Sequence, residues 1–158
     1  MEIKIEKQIE VFREMSMPST IKLNNPGALD HKIGHRVKSI EFSEEYTRID
    51  FIYRSSKVYQ NGGWIQMEGN AYIQPIGSTT KYRLISAIGI PFAPLKHYFK
   101  HQGEYYSYSL IFPALPAGTS KIDIIEKEAP GTYFNFYGID YSKWITVPHP
   151  MDVSQSKN

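Results

Sequence analysis

Four of the five histidines fall into two pairs of identical spacing, His31-Lys32-Ile33-Gly34-His35 and His97-Tyr98-Phe99-Lys100-His101. An H-x3-H spacing lies within the range used by zinc ligands. It converges best on a helix, where residues four apart share a face. Asp30 adjoins the first pair and Glu104 follows the second. Lys32, Arg36, Lys96 and Lys100 stand beside them, and their charge opposes a metal ion. His31, His35, His97 and His101 therefore define one candidate chemistry: zinc in a metal-binding protein or a histidine-based hydrolase. The other reading makes them loop histidines and predicts no cofactor.

Two carboxylate pairs, Asp50 with Glu68 and Asp123 with Glu126, are candidates for glycoside hydrolysis by strand position alone. The separation of the two carboxyls decides that mechanism, and sequence does not give it. The chain has neither a G-x-S-x-G elbow nor a phosphate-binding P-loop. It has no cysteine, which excludes a disulfide scaffold, a thiol nucleophile and cysteine-ligated metal centres.

Recognition by aromatic side chains has broader support. Tyr 12, Phe 8 and Trp 2 make 14% of the chain. Trp64, Tyr72, Tyr82, Tyr98, Tyr105, Tyr106, Tyr108 and Tyr133 exceed what one small core buries. Tyrosine pairs an apolar body with a polar tip, which suits an interface. Trp64, Tyr105, Tyr106 and Tyr108 are the candidate ligand-binding residues. The run Tyr105-Tyr106-Ser107-Tyr108 sets tyrosines on both faces of one strand. Either both faces are covered by protein or one is a ligand surface. Nucleic acid is not an expected partner: Lys plus Arg is 18 against 16 acidic residues, a net charge of +2 without a concentrated basic surface.

The elements that must position these residues read as strands. Glu2–Phe12 alternates in part, giving one long or two short strands, with a short helix as the competing reading because Glu, Lys and Gln favour helices. Met15–Arg36 is a turn-rich connection marked by Asn25-Pro26-Gly27. From Val37 the rhythm is regular. Val37–Ser43 and Tyr46–Tyr53 flank Glu44-Glu45 as a hairpin. Asn61-Gly62-Gly63 is a turn before the strand led by Trp64. Glu104–Phe112 sets Tyr106, Tyr108, Leu110 and Phe112 on one face. Thr132–Ile139 is the last clear strand. Seven or eight short strands at this spacing predict an all-β antiparallel sandwich. The expected organisation is an arm and connection over 1–36, a β-sandwich over 37–147 and a loosely ordered tail over 148–158. The arm is suited to pairing with a neighbour's sheet edge, which gives a homodimer.

Four runs carry a resemblance: Gly89-Ile90-Pro91-Phe92-Ala93-Pro94, Leu110-Ile111-Phe112-Pro113-Ala114-Leu115-Pro116, Ile122-Asp123-Ile124-Ile125-Glu126 and Phe134-Asn135-Phe136-Tyr137-Gly138-Ile139. Over roughly residues 37–139 the chain resembles a group of uncharacterised bacterial immunoglobulin-like β-sandwich domains. The resemblance implies that fold, and the extended N-terminal segment lies outside it. It supplies no mechanism and no catalytic residue.

No apolar run approaches the ~20 residues that span a bilayer. The N-terminus lacks the apolar stretch of a secretory signal. With Met1 native the expectation is a cytoplasmic protein. With a signal peptide trimmed away it is secreted or periplasmic. The function expected is a non-enzymatic binding or interaction module with a protein or glycan partner.

Overall fold

In the computed structural model, which describes residues 19–30 and 34–148, the alternating segments pair into antiparallel sheets. The strands are β1 (Ile21–Asn24), β2 (His35–Phe42), β3 (Tyr46–Arg54), β4 (Trp64–Ile65), β5 (Tyr72–Pro75), β6 (Tyr82–Arg83), β7 (Ser86–Ile88), β8 (His97–Tyr98), β9 (Tyr105–Pro113), β10 (Lys121–Ile125), β11 (Asn135–Asp140) and β12 (Ile145–Thr146). Six of them bond in the order β12-β1-β2-β3-β9-β7, four in the order β11-β10-β5-β6, and β4 pairs with β8. The described chain is all-β, with a short 3-10 turn at Pro26–Leu29 and no α-helix. The strands outnumber the seven or eight expected. Four of them, β4, β6, β8 and β12, have only two residues each, too few to show an alternation.

The two larger sheets bury one core between them. Ile40, Ile49, Phe51, Leu110 and Phe112 come from the six-stranded sheet, and Ile73, Ile122 and Ile124 from the four-stranded one. Full burial of such a side chain contributes about 1.5–3 kcal/mol. The β2–β3 hairpin forms where Glu44-Glu45 predicts it. The Ser43 hydroxyl accepts the N–H groups of Glu45 and Tyr46 at 3.1 and 3.0 Å, closing the turn.

Two bulges decide which residues face the core. In β2, Val37 opposes Phe51 and Ser39 opposes Asp50, so Lys38 is the extra residue. Strict alternation back from buried Ile40 would aim Lys38 and Arg36 inward. The bulge shifts the phase by one, and His35 and Val37 face the core instead. In β11 the register slips between the Ile122 and Ile124 pairings, opposite Asp123. Gly138 takes φ 61° there and donates its N–H to the Asp123 carboxylate at 2.7 Å. Phe136 and Ile139, three apart, therefore both pack on the core.

The boundary expected between residues 36 and 37 falls inside β2. Ile21–Asn24, expected within a turn-rich connection, pairs with β2 on one side and β12 on the other. This stretch is part of the sheet. The Glu2–Phe12 segment, the arm-mediated dimer, His31 and the tail beyond Pro148 lie outside the described residues.

Candidate functional site

Among the described residues, His35, His97 and His101 do not share a face. His35 opens β2 within a shell of rings: Phe134 at 4.2 Å between centroids, Phe136 at 4.9 Å, Tyr53 at 5.2 Å, Tyr108 at 5.8 Å and Phe51 at 5.9 Å. Its Nε2 lies 2.6 Å from the Tyr108 hydroxyl. Burial among these rings lowers its pKa to about 3, so the imidazole is neutral at pH 7. His97 stacks on Tyr106 at 4.6 Å. Along the ring contacts that join His35 to His97, both Tyr53 and Phe99 intervene. His101 is exposed in a bend. Glu104 is engaged with backbone, accepting the N–H groups of Lys100 and His101 at 3.1 and 3.4 Å. With no helix over 97–101, that pair lacks the shared helical face its spacing suits. Among the described residues no group of three or more His, Asp or Glu is placed to hold a metal ion.

The four aromatic candidates separate in the same way. Tyr108 is 3% exposed and stacks flat on Phe51 at 4.8 Å. It shares its strand face with Leu110 and Phe112, and that face is the core, so Tyr108 is no ligand surface. Tyr106 is pinned: its hydroxyl donates to the Gly89 carbonyl and its ring carries His97. Tyr105 is exposed, with the Arg54 guanidinium 5.4 Å from its ring centre. Trp64 is 44% exposed and carries the Lys96 ammonium 4.3 Å from its ring centre.

Trp64 belongs to a concavity that joins large aromatic rings to polar side chains. A cleft of about 420 Å³ lies between the 56–66 and 131–134 segments. Its walls include Tyr53, Tyr59, Trp64, Tyr133 and Phe134, with Ser56, Gln66, Thr132 and Glu126 among them. Glycine turns set its rim. Gly62 and Gly63, at φ 87° and 75°, turn the chain into β4 so that Trp64 leads the strand. The Ser55 hydroxyl staples this loop to its neighbour, donating to the His101 carbonyl at 2.6 Å and accepting the Glu104 N–H at 2.7 Å. On the other side, Pro130-Gly131 precedes Tyr133, whose ring packs over Gly131.

Two polar groups of the cleft stand out. The Gln66 Oε1 is buried and has no hydrogen-bond partner among the described residues. An unsatisfied buried acceptor costs about 1–3 kcal/mol. Glu126 holds the cleft together. Its Oε1 accepts the Phe134 N–H at 2.8 Å and its Oε2 the Glu68 N–H at 3.0 Å. Burial pushes its carboxyl above the usual range, with the Glu68 carboxylate adding to the push and the two N–H groups drawing it partly back.

Three of the four carboxylates considered for hydrolysis are engaged in structural bonds. Asp50 lies on the outer face of the six-stranded sheet, bonded to Ser39 at 2.8 Å, Ser109 at 2.5 Å and Arg48 at 2.9 Å. Burial pushes its carboxyl up, but these bonds outweigh it and hold the group below the usual range. Asp123 serves the bulge at Gly138, and Glu126 ties backbone together.

Sequence reasoning missed Tyr53, Tyr59 and Gln66 as cleft residues. The available signal was indirect, a glycine turn shortly before each rim aromatic, at Gly62-Gly63-Trp64 and at Gly131-Thr132-Tyr133, which marks the loops of the cleft. Comparisons with protein-family models, with curated proteins and with solved structures return no match.

Proposed function

We propose that this protein is a non-enzymatic binding module and that its cleft takes a glycan. The observation that supports this is the composition of one concavity: Tyr59, Trp64 and Tyr133 beside Gln66, Thr132 and Ser56, around about 420 Å³. Small-ligand sites combine apolar and aromatic walls with a few convergent polar groups at this size. A sugar ring has an apolar C–H face and a hydroxylated edge. The rings accept the first, and the amide and hydroxyls meet the second.

The finer fold assignment, an immunoglobulin-like sandwich of the bacterial group the sequence resembles, rests on two antiparallel sheets facing one core. The consecutive β1-β2-β3 meander within one sheet departs from the immunoglobulin strand order.

The test is calorimetric titration of soluble oligosaccharides into the full chain, repeated with Trp64→Ala. Saturable binding that weakens about tenfold or more in the variant, with its melting temperature retained, supports the reading. Binding indifferent to Trp64, or no binding across neutral and charged oligosaccharides, overturns it.

A further inference from the structure

We propose, building on the glycan reading above, that the cleft prefers an acidic saccharide, one built of hexuronate units. The argument starts from the two exposed lysines at the cleft's aromatic walls. Lys96 Nζ lies 4.3 Å from the centre of the Trp64 ring, and Lys127 Nζ lies 5.2 Å from that of Tyr133. Trp64 and Tyr133 come from the two different segments that flank the cleft. Each flank thus presents the same pairing of an aromatic face and an ammonium ion.

That pairing fits a ligand carrying an apolar face and a negative charge on the same ring. Exposed cation–π contacts are weak, and a lysine on a flexible stem exchanges one readily for a carboxylate. A hexuronate draws the ammonium off the ring with its carboxylate and lays its C–H face on the surface thus freed. A neutral sugar must displace the ammonium without replacing its partner. One anion per sugar unit also matches one ammonium per flank, whereas heavily sulfated glycans bring several charges per unit.

Glu126 is the acidic group of the cleft wall: its carboxylate oxygens accept two backbone N–H groups, and the Lys127 ammonium offsets part of its charge. Glu128 accepts the Tyr72 hydroxyl. Arg54 is turned to Tyr105 and to the Gly103 carbonyl. Lys96 and Lys127 make contacts with the cleft's own aromatic walls, and Arg54 makes its contact with a ring outside them.

The experiment uses the full chain and oligomers of galacturonate, glucuronate and mannuronate, against neutral gluco-oligosaccharides of equal length and a sulfated dextran. The expected result is tighter binding of at least one uronate oligomer than of any neutral one. Lys96→Gln and Lys127→Gln should each weaken it roughly two- to fivefold, as exposed charge pairs do. Added salt should erase the preference over neutral sugars. Trp64→Ala should weaken it about tenfold or more. Equal binding of neutral oligomers, unchanged by the lysine variants, overturns this inference and leaves the glycan reading standing. Binding of sulfated dextran that exceeds the uronates and persists in Trp64→Ala shows attraction to surface charge only, and overturns it too. No binding of any saccharide overturns both.

Discussion

The imidazole Nε2 of His35 and the phenol oxygen of Tyr108 meet at 2.6 Å within the aromatic layer between the sheets. Five rings enclose the imidazole, and burial lowers its pKa to about 3 against an ordinary 6.5. The sign of the consequence follows from which state takes the proton. Between pH 6.5 and 3 the unfolded chain protonates this histidine and the native protein does not. Stability therefore falls as pH falls through that window. At about 1.4 kcal/mol per unit, the loss from pH 7 to pH 4.5 is roughly 2–3 kcal/mol. Denaturant unfolding of wild type and His35→Gln at both pH values checks it. The difference between the two pH values should shrink by about that amount in the variant, whatever its baseline.

Removing the phenol oxygen tests the same contact from its other side. Tyr108→Phe keeps the stacking on Phe51 but leaves the His35 nitrogen without its partner. An unpaired buried polar group costs about 1–3 kcal/mol. Unfolding at pH 7 should show that loss. A neutral result would mean that the imidazole finds water or another partner.

The loop that carries Trp64 depends on glycine geometry. Gly62 sits at φ 87°, and a Cβ there would stand 2.4 Å from the His101 carbonyl oxygen and 2.8 Å from Ser55 Oγ. Gly118 has nearly the same φ, 85°, with nothing within 4 Å of its Cβ position. The positive φ costs each alanine variant about 1 kcal/mol or somewhat more. Gly62→Ala adds a clash with backbone. Its melting temperature should fall well below that of Gly118→Ala, and near-ultraviolet dichroism from Trp64 should change in Gly62→Ala alone.

Why some of this was legible in sequence and some was not follows from the range of the signals. Alternation in Tyr46–Tyr53 and Glu104–Phe112 gave β3 and β9 because both faces differ along each strand. Tyr108 was readable as core from its parity with Leu110 and Phe112, yet its polar tip also suits a surface, and only the His35 partner explains its burial. His35 itself was hidden by the bulge at Lys38, one inserted residue that inverts the pattern without altering composition. The two-residue strands β4 and β8 are too short to announce themselves, and they hold Trp64. The Glu126 clasp joins residues 58 apart in the chain, Glu126 and Glu68, which no local pattern reports.

Glu126 offers a prediction about the cleft's integrity. Glu126→Gln keeps the shape but replaces one carboxylate oxygen with an amide nitrogen, which cannot accept an N–H. Either the Phe134 or the Glu68 amide then loses its partner, a bond to a charged group of about 1.5–3 kcal/mol. Hydrogen exchange at those two amides should quicken in the variant, while the amides of β3 and β9 stay protected.

The central claim is that the cleft between Trp64 and Tyr133 is a glycan site. The chain holds two tryptophans, Trp64 and Trp144. Trp144 does not line the cleft and packs near Tyr141 at 6.3 Å. In a Trp144→Phe background, Trp64 fluorescence reports on the cleft alone. Titrating that protein with uronate and neutral oligosaccharides should give a saturable shift in emission that Tyr133→Ala weakens. An emission spectrum unchanged by every saccharide, on protein whose melt is cooperative, would contradict the assignment of the cleft to sugar binding.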